Sequence, residues 1–179
     1  MNNEEASCLA NLTLAPYIQK ATTLIGINRK VGGNQFRHAM ATLAILIDYH
    51  YTNPILLKAS VIHDLIEDVK DFNPDEIVNI DEDGQKVLDL VMEVTIRENS
   101  KIEYLERLLK NSSQLAKILK CADRISNLTD LHIDIFDKDY ILNYLQETES
   151  YILPLAEIVN PNMAIELQDL IRRRRDLIK

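Results

Sequence analysis

Strict period-two alternation of apolar and polar side chains never runs past six residues in this chain. Apolar residues recur instead at three- and four-residue intervals, the spacing that lines up one face of an α-helix. Leu14, Tyr17, Ile18, Ala21, Leu24 and Ile25 carry this rhythm near the start. With only 4 Gly and 5 Pro in 179 residues, the chain is too poor in turn residues for a β-sandwich or barrel. The pattern predicts an all-α protein with helices over 12–27, 35–49, 54–68, 75–79, 84–95, 101–110, 113–131, 138–159 and 162–178. Asn53-Pro54 and Asn73-Pro74 each read as a helix start, a polar cap followed by a proline that needs no amide partner. Pro154 should kink or end the helix it sits in. Residues 28–34, with Gly32 and Gly33, read as a loop.

The length suits one domain over 1–179. The 28 acidic residues outnumber the 20 basic ones, for a net charge of −8. Such a chain has no general attraction for nucleic acid or an anionic membrane. If it handles phosphates, it needs a local group of cations or a metal. Cys8 and Cys121 fit no CxxC pattern and are expected as reduced thiols. Residues 1–10 lack the apolar core of a signal peptide, and the longest apolar stretches fall far short of the ~20 residues of a membrane span. Cytoplasmic residence is the expectation, and a homo-oligomer is compatible with it.

Chemistry-bearing residues gather at four places: Arg29-Lys30 in the glycine-bearing loop; His38; the run His63-Asp64-Leu65-Ile66-Glu67-Asp68; and Asp123-Arg124 with Asn127. On a continuous helix, Glu67 lies four residues beyond His63, and Asp68 four beyond Asp64, one turn on along the same face. Titratable groups set among Val61, Ile62, Leu65 and Ile66 call for compensation. A divalent cation supplies it, since it binds neutral imidazole and carboxylate and neutralises charge. Singly, each residue is more often structural, the histidines included. The ordered set His, His-Asp, Asp is what a four-ligand site on helices requires.

That order, His38, His63-Asp64, Asp123, resembles the HD superfamily of metal-dependent phosphohydrolases. His-Asp-Leu-Ile-Glu-Asp is similar to the HDxxED run of the RelA/SpoT-type alarmone hydrolases, and Lys-Cys-Ala-Asp-Arg-Ile-Ser-Asn-Leu is similar to their segment around the last metal aspartate. Arg29-Lys30 stands nine residues before His38, the spacing of that family's Arg-Lys pair. The stretch from Glu147 to Ala156 resembles the same domain. The resemblance spans about residues 14–156, with a further helix over 162–178. It points to the stand-alone small alarmone hydrolases of the Mesh type. The implied fold is a single HD-domain bundle of roughly eight to ten helices. Departures lie in the loop Val-Gly-Gly-Asn-Gln-Phe-Arg, in Ala39, Cys121 and Ser126, and in Asp130. They leave the metal set intact and leave the base preference open.

The resemblance implies hydrolysis of the 3′-pyrophosphate of (p)ppGpp to GDP or GTP and pyrophosphate. It implies His38, His63, Asp64 and Asp123 as ligands of one divalent metal, Mn²⁺ by resemblance, with Fe²⁺ and Zn²⁺ also suited to the ligand types. Glu67 and Asp68 are then the catalytic acids that orient or deprotonate water. Arg29 would stack on the base and Lys30 would meet phosphate. Asn127, Asp130, Tyr144 and Lys101 are the further substrate contacts. Arg97 and Arg124 are candidate phosphate cations, with Arg124 read as a structural ion pair in preference. The Arg172 to Arg175 run reads as a solvated helix face. The expected partner is a small-molecule nucleotide, with no nucleic acid and no membrane. Competing readings are a hydrolase for (p)ppApp or for the 2′-phosphate of NADPH, and a non-catalytic alarmone-binding module.

Overall fold

In the computed structural model of this chain, residues 1–132 and 136–178 are described. They fold into α-helices and form no strand; one isolated bridge pairs Asn28 with Asn34. The chain divides into two compact units, Met1–Asn28 with Gly33–Thr95, and Arg29–Gly32 with Ile96–Lys179.

The first unit is built around α4 (Pro54–Ile62). Asn53 caps it by accepting the Leu56 amide at 3.0 Å, and Pro54 opens it. Every residue from Leu56 to Ile62 is buried, as befits a helix apolar nearly all round. It packs against α2 (Ala15–Ala21), α3 (Gln35–Asp48) and α7 (Gly84–Val94). Lys58 is the charged residue of this interior, and its ammonium is met by Asp81 at 2.8 Å and Asp83 at 2.7 Å. Three further helices complete the unit: α1 (Asn3–Ala10), α5 (Leu65–Asp68) and α6 (Asp75–Val78).

Two expected helices of this unit differ in detail, and one helix is unexpected. The one expected over 12–27 begins at Ala15 and tightens into a 3₁₀ turn at Thr22–Gly26. Pro16 bars the first turn upstream, and the Thr22 and Thr23 hydroxyls donate to the carbonyls of Gln19 and Lys20 at 2.6 and 2.9 Å. The one expected over 54–68 is cut at His63-Asp64 into α4 and α5. Nδ1 of His63 lies 2.8 Å from the Ser60 carbonyl, the oxygen that the Asp64 amide would use in a continuing helix. The helix α1 lies outside the expected set. Its start is a capping box, with Asn2 and Glu5 each bonded to the other's backbone amide.

The second unit contains α8 (Lys101–Asn111), α9 (Gln114–Thr129), α10 (Lys138–Glu147), α11 (Leu153–Val159) and α12 (Pro161–Leu177). Ser100, Ser113, Asp137 and Asn160 cap four of these starts. Helix α9 packs against α8, α11 and α12 and buries Leu119, Cys121, Ala122, Ile125 and Leu128. Between α10 and α11 lies a π-helical segment, Thr148–Ile152, placed directly before Pro154. The proline has no amide to give and its ring crowds the preceding turn, so one widened turn absorbs it. At the far end, Arg172 and Arg173 are solvated, as expected. Arg174 is not: it donates to the Leu128 and Thr129 carbonyls at 2.8 and 2.5 Å and closes the C-terminus of α9. No helix among the described residues is long and apolar enough to cross a membrane.

Candidate active site

His38 stands one turn into α3. Asn34 caps that helix by accepting the Arg37 amide at 3.0 Å. The chain reaches this cap through Gly32 and Gly33, at φ 87 and 71, a left-handed geometry that glycine adopts without strain. The Gln35 amide then donates to the Ile27 carbonyl at 3.0 Å and fixes where α3 begins.

His38 and His63 are buried, and their rings meet edge to face with centroids 5.3 Å apart. His38 Nε2 is 3.6 Å from Asp64 Oδ2, and His63 Nε2 is 3.3 Å from Asp64 Oδ1. The three residues each offer one ligand atom, all within 4.8 Å of one another. The donor set fits a divalent cation. A backbone carbonyl can only accept, so His63 Nδ1, 2.8 Å from Ser60 O, carries its proton there. The ring so held turns Nε2 toward Asp64. Metal-binding histidines are held in just this way by a carbonyl behind the ring. The helix break at His63-Asp64 is thus a product of the bond that orients the ligand.

The break also changes the expected register of the two acids. Asp68 keeps its one-turn relation to Asp64, donating its amide to the Asp64 carbonyl at 2.9 Å. Helix α5 excludes His63, so Glu67 and His63 do not share a continuous helix. Glu67 and Asp68 both present an edge to solvent. Desolvation by the surrounding protein, followed by the Asp64 carboxylate, pushes the Asp68 pKa above the usual aspartate value; donation from Gln35 and the two histidines pull the other way. Gln35, which carries no motif in the sequence, donates from Nε2 to Asp68 Oδ2 at 2.5 Å.

In the second unit, Arg29 donates from Nη1 to Asp130 at 2.8 Å and from Nη2 to Asn127 at 2.8 Å. Asn127 in turn donates to Asp123 Oδ1 at 2.6 Å, and Lys120 pairs with Asp123 Oδ2 at 2.6 Å. Four of the expected residues, Arg29, Asn127, Asp130 and Asp123, therefore form one hydrogen-bonded chain. Lys120 joins it unannounced, although its place one helical turn before Asp123 is a usable signal. The edge of the Arg29 guanidinium is engaged by Asp130 and Asn127, and its side chain is 10% exposed. Lys30 is exposed. Lys101 pairs with Glu147 at 2.9 Å and lies over the Tyr144 ring at 5.2 Å. Desolvation pushes the Tyr144 phenol up to about 12, against the opposing effect of Arg124.

No family model matches the chain, and no curated protein matches it. Among solved structures it is similar to one described as a metazoan ortholog of SpoT that hydrolyzes ppGpp and plays a role in starvation responses. The two are 22% identical over 97% of each chain, with a TM-score of 0.74. The likeness establishes the fold: an all-α arrangement shared along nearly the whole length.

Proposed function

We propose that this chain is a metal-dependent pyrophosphohydrolase that removes the 3′-pyrophosphate of (p)ppGpp, giving GDP or GTP and pyrophosphate. The observation that carries the reading is the group of two buried histidines, His38 and His63, with the half-buried Asp64 and an oriented imidazole, in the fold of a ppGpp hydrolase. On the sequence pattern, Asp123 is proposed as the fourth ligand and Mn²⁺ as the metal, with Fe²⁺ or Zn²⁺ as alternatives. A divalent metal bound there would polarise a phosphoryl oxygen and lower the pKa of a water.

The chain's own residues supply the rest. Water attacks the phosphorus next to the ribose 3′ oxygen, a new P–O bond forms, and the P–O3′ bond breaks. Glu67 and Asp68 orient the water and take one proton from it, and a proton is returned to the leaving O3′ oxygen so that the nucleotide departs with a 3′ hydroxyl. A carboxylate whose pKa is raised is the better acceptor near neutral pH, and Asp68 is shifted in that direction. Arg29 offers a guanidinium face to the purine, its edge fixed by Asp130 and Asn127. Lys30 and Lys101 meet phosphate, and Tyr144 borders the nucleotide. A freely diffusing nucleotide fits the cytoplasmic residence expected from the sequence.

The test is turnover by purified protein supplied with Mn²⁺, comparing ppGpp, its adenosine counterpart and NADPH, with products resolved by anion exchange. Pyrophosphate and GDP from ppGpp are expected. Turnover of only the adenosine compound or NADPH would overturn the substrate and keep the metal chemistry. No turnover with metal bound would leave a non-catalytic binding module.

A further inference from the structure

We propose that Gln35 is a positioning residue for Asp68, holding one oxygen of that carboxylate so that the other faces the proton it accepts. The inference rests on the proposed function for its catalytic meaning, and on geometry for the pairing itself.

Asp68 has little local support. It is the last residue of a four-residue helix, and the chain turns extended at Val69, with φ −94 and ψ 112. The break at His63-Asp64 separates α5 from the long buried helix before it. A side chain so placed, with an edge in solvent, has more than one rotamer open to it. Gln35 supplies the missing constraint from a firmer element. It is the first residue of the 14-residue α3, its amide is tied to Ile27, and it stands three residues before His38, so both side chains leave the same face. Its Nε2 donates to Asp68 Oδ2 at 2.5 Å. That engages one carboxylate oxygen and leaves Oδ1 to act on water.

A second observation separates this from ordinary surface bonding. Gln35 Oε1 is buried and has no hydrogen-bond partner among the described residues. An unsatisfied buried acceptor is unfavourable, so stability alone does not account for the amide. Of the two ends of the Gln35 amide, the donor that meets Asp68 is the one with a partner.

The test uses Gln35→Met, which keeps length and removes the donor, and Gln35→Glu, which keeps reach and sets a negative charge against Asp68. Both are compared with Asp68→Ala and with the double variant Gln35→Met/Asp68→Ala. Melting temperature and metal content are measured alongside kcat and KM on the nucleotide that wild type turns over. Mispositioning of a reacting group costs on the order of 10²-fold. We expect kcat to fall about 10- to 100-fold in Gln35→Met with KM within about twofold, and the double variant to be no slower than Asp68→Ala alone. Residues acting as a unit show such non-additivity; a merely structural role would not. A kcat within about twofold of wild type, or additive losses, overturns the proposal. If Gln35→Met fails to fold, Gln35→Glu carries the same comparison. Should wild type turn over none of the three nucleotides, the proposed reaction fails separately. The pairing is then decided by NMR on the unliganded protein, where the Gln35 side-chain amide protons shift in Asp68→Ala if it is real and stay unchanged if it is not.

Discussion

The guanidinium of Arg124 lies over the Tyr144 ring, 4.2 Å from its centroid. Nη1 donates to the Thr148 hydroxyl at 2.8 Å and Nη2 to Glu147 at 3.0 Å, and the residue is 2% exposed. These bonds tie α9 to the end of α10 within the second unit, in keeping with the structural ion pair preferred from the sequence. Arg124→Met keeps the bulk, removes the charge and leaves Glu147 its pair with Lys101. Glu147 retains some solvent, so the loss falls below that of a fully buried pair; we expect about 2 kcal/mol, read as a lower urea midpoint at unchanged slope.

His63→Ala and Asp64→Ala should lose metal and turnover together. Glu67→Gln should keep the metal and lose most of the turnover, about 100-fold or more for removal of a proton acceptor. Metal content by elemental analysis beside activity reads both. Loss of metal in Glu67→Gln would move Glu67 from the proton-accepting role into the ligand set.

Gly84 opens α7 under the end of α6. A Cβ at this position would press into the carbonyl oxygens of Ile77 and Val78, backbone atoms that cannot swing aside. Gly84→Ala should therefore destabilise the protein by about 1–3 kcal/mol, the range for overpacking, although alanine is the better helix former. Urea unfolding checks the sign, which propensity alone would reverse.

Acid stability should carry a mark from Glu98. Its hydrogen bond with Arg107, aided by the Arg97 amide, outweighs desolvation and lowers its pKa from 4.5 to about 2. A depressed carboxylate contributes stability that is fully present above pH 4.5 and fades as pH falls toward 2. The pair is partly solvated, so the effect is small and weakens with salt. Glu98→Gln should flatten that part of the pH–stability curve and leave neutral pH little changed in shape, as acid titrations followed by circular dichroism would read.

How far the sequence carries depends on where the cause of each feature lies. Asn53-Pro54 announces α4 because the cap and the proline are both local. Asn2 and Glu5 announce α1 as plainly, through their three-residue spacing. Pro16 likewise excludes a helix from Leu12. The break at His63-Asp64 has no such mark. Helix formers flank it, no glycine or proline stands there, and its cause is a ring nitrogen reaching back to Ser60. His38, His63 and Asp64 can be grouped by their order along the chain. The pairing of Gln35 with Asp68 spans 33 residues, and no pattern of spacing connects them. Arg172 to Arg175 look uniform as letters, but the helix turns Arg174 onto the end of α9, pairs Arg175 with Glu149 through both guanidinium nitrogens, and leaves Arg172 and Arg173 in water.

The π-helical segment at Thr148–Ile152 is also where the chain keeps count of its own length. One residue more than an α-helix needs is stored in that turn, and each residue of an α-helix rotates the next by about 100°. Deleting a single residue there would let α10 and α11 run together in one phase, with Leu155 and Ala156 still facing the interior they now fill. It would also set the Pro154 ring against the carbonyl one turn before it, inside a regular α-helix. The surplus residue is the room that the proline takes, so a one-residue deletion in this segment should be tolerated far better once Pro154 is replaced by alanine.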